Sequence, residues 1–231
     1  MQLQEPAGEH RTLLQGVSWS TYEALLADLG DHRGRIAYDN GMLEIMTPSQ
    51  THEGLKKIIG RLIETYSLEL GIEILSTSSL TLKRSKLLKG AEADESYYVQ
   101  NEALVRHRKI DLAVDPPPDL AIEVEISRSA LDHLGIYAGL GVPELWRHDG
   151  KSLRVYLLSA EGEYRPSEKS RAFPALPLED FRRFLAKRTG LSETQLLTAF
   201  RDWVRRHRRR RGVSSRKPKN ERRGRRRKPS T

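Results

Sequence analysis

The sequence predicts an α/β fold: one domain with a central mixed sheet flanked by helices, a helical C-terminal appendage and a basic tail. Three observations carry this. Helix-like and strand-like hydrophobic periods interleave through residues 18–187. Within Asp119–Ile126, Leu120, Ile122, Val124 and Ile126 alternate with Ala121, Glu123 and Glu125, the period of a strand. The net charge of +9 over 231 residues also hides a division between a mildly acidic body and a cationic end.

Residues 1–17 read as a loose leader. Ser18-Trp19-Ser20-Thr21 then supplies hydroxyls to cap a short helix through Ala27. Arg35–Tyr38 and Met42–Met46 flank Asp39-Asn40-Gly41, and Asn-Gly favours a type I′ hairpin turn. Thr47-Pro48-Ser49 opens the clearest helix, in which Leu55, Ile58, Ile59, Leu62, Ile63 and Tyr66 form one apolar stripe that Gly71 ends. Glu73–Ser76 and Leu80–Lys83 read as strands, the stretch through Gly90 as a loop, and Ser96–Val99 as a strand after the acidic run Glu92-Ala93-Asp94-Glu95. Asp115-Pro116-Pro117-Pro118 is a stiff entry into the diglutamate strand. A helix over Ala130–Leu140 is broken by Gly141-Val142-Pro143. Strands follow at Glu144–Arg147, Ser152–Leu158 and Glu163–Arg165, and helices at Leu178–Lys187 and Ser192–Arg206. The organisation is a leader (1–17), a main domain (18–187), a C-terminal helix (188–206) and a low-complexity tail (207–231) too poor in apolar residues to fold alone.

Without cysteine, disulfides, thiolate zinc sites and thiol nucleophiles are excluded. No apolar run approaches the roughly 18 residues of a membrane span, and the first residues lack the pattern of a signal peptide, so a cytoplasmic protein is expected. Arg205–Thr231 holds fifteen of the 40 basic residues and one of the 31 acidic ones, a charge of +14 that leaves −5 on the remainder. This end, with Arg205, Arg206, Arg208, Arg209, Arg210 and Arg211, has no aromatic side chain to stack on bases. It is suited to neutralising phosphates rather than reading sequence.

On one strand face Glu123 and Glu125 lie about 6–7 Å apart, and a divalent cation turns their mutual repulsion into a ligand set. The competing reading is a strand with one wet face. Asp94, directly before the next candidate strand, is the natural third carboxylate; by itself its run would be a solvated loop. His133 and Tyr137 stand one helical turn apart beyond the diglutamate strand and can line the same cleft, although a surface histidine is equally consistent. Glu44 and His52 are second choices near that cleft, His52 falling at the margin of the apolar stripe.

At these residues the sequence resembles the Uma family of restriction-endonuclease-like proteins, within the PD-(D/E)XK nuclease superfamily. The resemblance spans residues 18–187 and is carried by Tyr38–Met46, Pro48–Glu53, Glu92–Asn101, Pro117–Ile126 and Ile136–Trp146, in that order. It implies a restriction-endonuclease-like core with a four-stranded mixed sheet, Mg²⁺ or Mn²⁺ as cofactor and DNA as substrate. Asp94 would be the aspartate of the Pro-Asp element and Glu123 the second acidic position, both holding metal. Glu125 stands where the superfamily has lysine and would bind metal or orient water. Ala93 replaces the customary proline, and His133 occupies the position, four residues before Tyr137, from which relatives recover a lysine. The expected function is therefore metal-dependent DNA hydrolysis, with a homodimer as a means of cutting both strands. Its rival is a catalytically silent nucleic-acid-binding protein of the same fold.

Overall fold

Two sheets face each other across one short helix. The computed structural model describes residues 9–29, 34–78 and 80–210; Arg211 and the rest of the basic tail lie outside the described residues. One sheet is antiparallel, in the order β1 (His10–Leu14), β3 (Met42–Thr47), β2 (Arg35–Asp39), β6 (Lys89–Glu92) and β5 (Thr81–Arg84). The other is mixed, in the order β11 (Tyr164–Ser167), β10 (Leu153–Leu158), β9 (Glu144–His148), β8 (Leu120–Val124), β7 (Glu95–Tyr98) and β4 (Leu75–Ser76). Among the described residues only β8 and β9 pair in parallel. Among the described residues this mixed sheet has six strands; the family resemblance implied four in its core.

The helices follow their local signals. Ser18 Oγ accepts from Thr21 N at 3.1 Å at the start of α1 (Trp19–Leu29). Ser49 Oγ accepts from His52 N at 3.2 Å to cap α2 (Gln50–Leu70), and Gly71, at φ 68°, ends it. Asn40 and Gly41 both take positive φ, 47° and 89°, as the type I′ turn between β2 and β3 requires. A short helix, α3 (Glu102–Val105), precedes the loop into β8, and α4 (His133–Leu140) begins three residues later than expected, after Asp132.

Among the described residues three apolar clusters hold the layers together. The largest packs the α2 stripe, including Ile59 and Leu62, onto Leu120, Ile122, Val124 and Trp146 of the mixed sheet. Phe181 of α5 (Leu178–Ala186) and Phe200 and Val204 of α6 (Glu193–Arg210) complete it, so the C-terminal helix is built into the main core. The second fills the space between the sheets, where Ile136, Tyr137 and Leu140 of α4 meet Ala121 and Leu145 on one side and Ala37, Leu82 and Ala91 on the other. Strand β8 is consequently buried on both faces. In the third, Tyr22 of α1 stacks on Tyr38 with ring centroids 4.9 Å apart, beside Ile36 and Leu43.

Two further sequence expectations change. The leader is not loose throughout, because His10–Leu14 pairs with β3 along its whole length, Arg11 opposite Met46 and Leu13 opposite Glu44. Its residues are mostly exposed and show no alternation, so nothing in their pattern marks a strand. The stretch around Gly90 is not a loop but β6, a central strand of the antiparallel sheet. Gly90 is needed there, since a Cβ would fall 2.2 Å from Tyr22 Oη and 2.9 Å from the ring edge. The stacked ring cannot retreat, so Gly90→Ala should destabilise the fold by about 1–3 kcal/mol. Urea unfolding measures this directly; an unchanged midpoint would show the Tyr22 contact to be slack.

Candidate active site

Asp94 and Glu123 are brought together by backbone pairing. Asp94 N donates to Ile122 O at 3.1 Å, and Asp94 Oδ2 accepts from Val124 N at 2.7 Å. The aspartate at the entry to β7 therefore brackets Glu123 on the adjoining strand. Both line a small cavity of about 10 Å³, room for one water or ion, with Glu44, Arg11, Arg35 and His133 among its other walls. Neither carboxylate points to bulk water: Asp94 is 1% exposed and Glu123 8%. The wet-face reading of Glu123 fails because α4 and the second sheet cover that face.

Each carboxylate has a histidine. His52, fully buried in the first turn of α2, places Nε2 2.8 Å from Asp94 Oδ1 and Nδ1 2.7 Å from Glu9 Oε1. Burial alone would lower the His52 pKa, but Asp94 and Glu9 outweigh it and hold it up at about 9, so both ring nitrogens carry protons at neutral pH. His133 lies between Glu123 and Glu44, 3.5 Å from an oxygen of each, at ion-pair distance without aligned hydrogen bonds. Burial again opposes its charge, and the two glutamates again prevail, raising its pKa to about 10. The surface-histidine reading of His133 is thereby excluded.

The two ends are joined through the N-terminal strand. Arg11 donates from Nη1 to Glu44 at 2.6 Å and from Nη2 to Glu9 at 3.0 Å. Ser129 Oγ, 2.9 Å away, and Ala130 N also donate to Glu44. Burial would raise the Glu44 pKa, but His133, Arg11 and these donors bring it down to about 2. The result is a chain of alternating sign, Asp94–His52–Glu9–Arg11–Glu44–His133–Glu123, whose two carboxylate ends meet at the cavity. Glu123 also accepts from the Tyr137 hydroxyl. Its pKa is raised by burial and further by the charge of Asp94, against the pull of His133 and Tyr137.

Glu125 is placed differently from its strand partner. The strand ends at Val124; Glu125 borders the cavity but pairs with Arg147 at 2.7 Å and accepts from Ser129 N at 3.2 Å. The basic helix end is also partly engaged: Arg205 makes two 2.8 Å hydrogen bonds to Glu69, and Arg208 donates to the Glu69 carbonyl. Glu9, Arg11 and Arg35 were not anticipated. Arg35 sits with Nε 3.5 Å from Asp94 Oδ1. Nothing in the local pattern around Glu9 and Arg11 distinguishes them from solvated polar residues. For Glu44 and His52 the proximity was legible but the partners were not.

The fold is thus mixed α/β, with Asp94 and Glu123 buried on adjoining chain segments of the mixed sheet. The chain belongs to the family described as "Uma2: Putative restriction endonuclease", whose model matches residues 19–187. Among solved structures it is similar to a "putative nuclease belonging to DUF820 from Anabaena variabilis ATCC 29413". The identity is 15%, the match covers 71% of this chain and 90% of that one, and the TM-score is 0.43. None of the curated proteins with which it was compared matches it. Among the described residues no helix is long and apolar enough to cross a membrane.

The raised histidine pKa values give a signed expectation. Their stabilising charge is fully present below the unfolded value of about 6.5 and is lost as pH rises through about 9 for His52 and 10 for His133. Thermal melts of the metal-free protein should therefore shift downward steadily between pH 7 and pH 10. A flat profile over that range would contradict the paired-imidazolium description.

Proposed function

We propose that the chain hydrolyses phosphodiester bonds of DNA at the Asp94–Glu123 cavity, with these two carboxylates as ligands of Mg²⁺ or Mn²⁺. What supports this is the alternating chain of charges, which has a carboxylate at each end and both ends on one cavity. A cation between them would complete the alternation. The donors are hard oxygens, and Mg²⁺ commonly takes one or two carboxylates and fills its shell with water and phosphate oxygens. This reading asks for only two protein ligands, since among the described residues no group of three or more His, Asp or Glu side chains is placed to hold a metal ion.

When bound, the ion would supply Lewis-acid polarisation of a phosphate oxygen and acidify a water. The chain's own residues do the rest. His52 and Val124 N hold the Asp94 carboxylate at fixed orientation, and Tyr137 does so for Glu123. His133 keeps a positive charge at the cavity wall, where relatives of the resembled family carry lysine, and so can stabilise negative charge developing on phosphate. Arg35 adds a second cation beside Asp94. The cationic C-terminal segment would raise the local DNA concentration without choosing a sequence.

Calorimetric titration with Mn²⁺ and nicking of supercoiled plasmid test this together. The wild type should bind Mn²⁺ and nick. Asp94→Asn and Glu123→Gln should each lose roughly 100-fold or more of both, beyond what outlying ligand-supporting residues cost. A wild-type protein that binds no Mn²⁺ and leaves plasmid intact would sink the proposal. Removing residues 211–231 should weaken DNA binding and flatten its salt dependence while leaving Mn²⁺ affinity unchanged; an unaltered salt slope would show the tail to be idle.

A further inference from the structure

Glu9 precedes the span matched by the family, in a segment without a recognisable motif, yet its carboxylate is among the most heavily bonded at the site. Its side chain is 0% exposed. It accepts from His52 Nδ1 at 2.7 Å, Ser127 Oγ at 2.6 Å, Ser127 N at 2.9 Å, Arg11 Nη2 at 3.0 Å and Ile126 N at 3.2 Å. These donors come from α2, from β1 itself and from the segment that follows β8. One carboxylate therefore ties together the helix that presents His52 to Asp94 and the segment leaving Glu123.

We infer that Glu9 is a positioning residue for the acidic centre, and that β1 is a working part of the site rather than an accessory strand. An imidazole ring is rigid, so fixing Nδ1 on Glu9 fixes the direction of Nε2, and Nε2 meets Asp94. Arg11, on the same strand, does the corresponding task for Glu44, the outer partner of His133. Anchoring β1 would require no such aim, because its pairing with β3 already spans His10–Leu14. A carboxylate placed only to hold the strand could pair with any exposed cation. This one is buried against the histidine of the reacting centre.

The inference rests on the proposed placement of that centre, so the experiment separates the two. Glu9→Ala, Glu9→Gln and Glu9→Asp are made in the full chain. Each is compared with the wild type below its melting temperature, with circular dichroism confirming the fold. Mn²⁺ affinity should fall about 10-fold in Glu9→Ala, and plasmid-nicking kcat about 10- to 100-fold with little change in KM for DNA. Glu9→Gln, which keeps an acceptor oxygen, and Glu9→Asp should recover part of both. A folded Glu9→Ala protein with wild-type Mn²⁺ affinity and kcat would overturn the inference.

A metal-free readout decides the matter if the wild type neither binds Mn²⁺ nor nicks. In protein labelled with ¹⁵N at histidine, His52 should show two slowly exchanging ring N–H protons, because both are buried and bonded. Glu9→Ala should remove the Nδ1 signal and displace the Nε2 signal. That result would uphold the positioning role while the nuclease reading falls. Unchanged signals would overturn the positioning role whatever the activity.

Discussion

Everything at the centre of this molecule depends on the mutual neutralisation of buried charge. Asp94, Glu9, Glu44 and Glu123 are withdrawn from water, and isolated burial of even one ionised carboxylate is strongly unfavourable. His52, Arg11 and His133 stand between them and reverse that balance locally. The arrangement is collective, because each cation serves two acids. Removing one partner of such a set strands a charge in a poorly solvated place, which costs far more than an exposed ion pair contributes.

The fold supplies the frame for this network by burying a strand twice. The Leu120, Ile122 and Val124 face of β8 packs on the α2 layer, while its Ala121 and Glu123 face meets α4 and, beyond it, the antiparallel sheet. A small residue at Ala121 lets α4 approach, and the approach covers Glu123 and brings His133 and Tyr137 over it. The second sheet then contributes Arg11 from its edge strand β1 and Glu44 from the adjoining β3. The site is thus an interlayer feature: no single element carries more than two of its members.

How much was legible can be read from particular residues. The Asn40-Gly41 turn and the α2 stripe followed from local rules, because turn conformation and helical period are decided by neighbours in the chain. Glu123 was legible as one of a pair on an alternating strand, and Asp94 as the acid preceding another. Glu125 shared the same period, but strand geometry ends at Val124 and Arg147 takes its carboxylate, so the pair splits. His52 read as the margin of a stripe because helical periodicity reports apolar faces, not hydrogen-bond partners. Strand β1 left no trace in periodicity because its side chains are mostly exposed, and β6 was hidden by a glycine whose role is to admit the Tyr22 ring.

The sequence by itself determined most of the element types, the α/β class, the family and the acids around which a site could be built. These depend on local conformational preference and on short motifs. Only the tertiary structure decided which acids face one another, that Glu9 and Arg11 belong with them, and that each histidine lies between two carboxylates, which raise its proton affinity. Partner choice and proton affinity depend on contacts between residues tens of positions apart and on the exclusion of water, neither of which local sequence encodes.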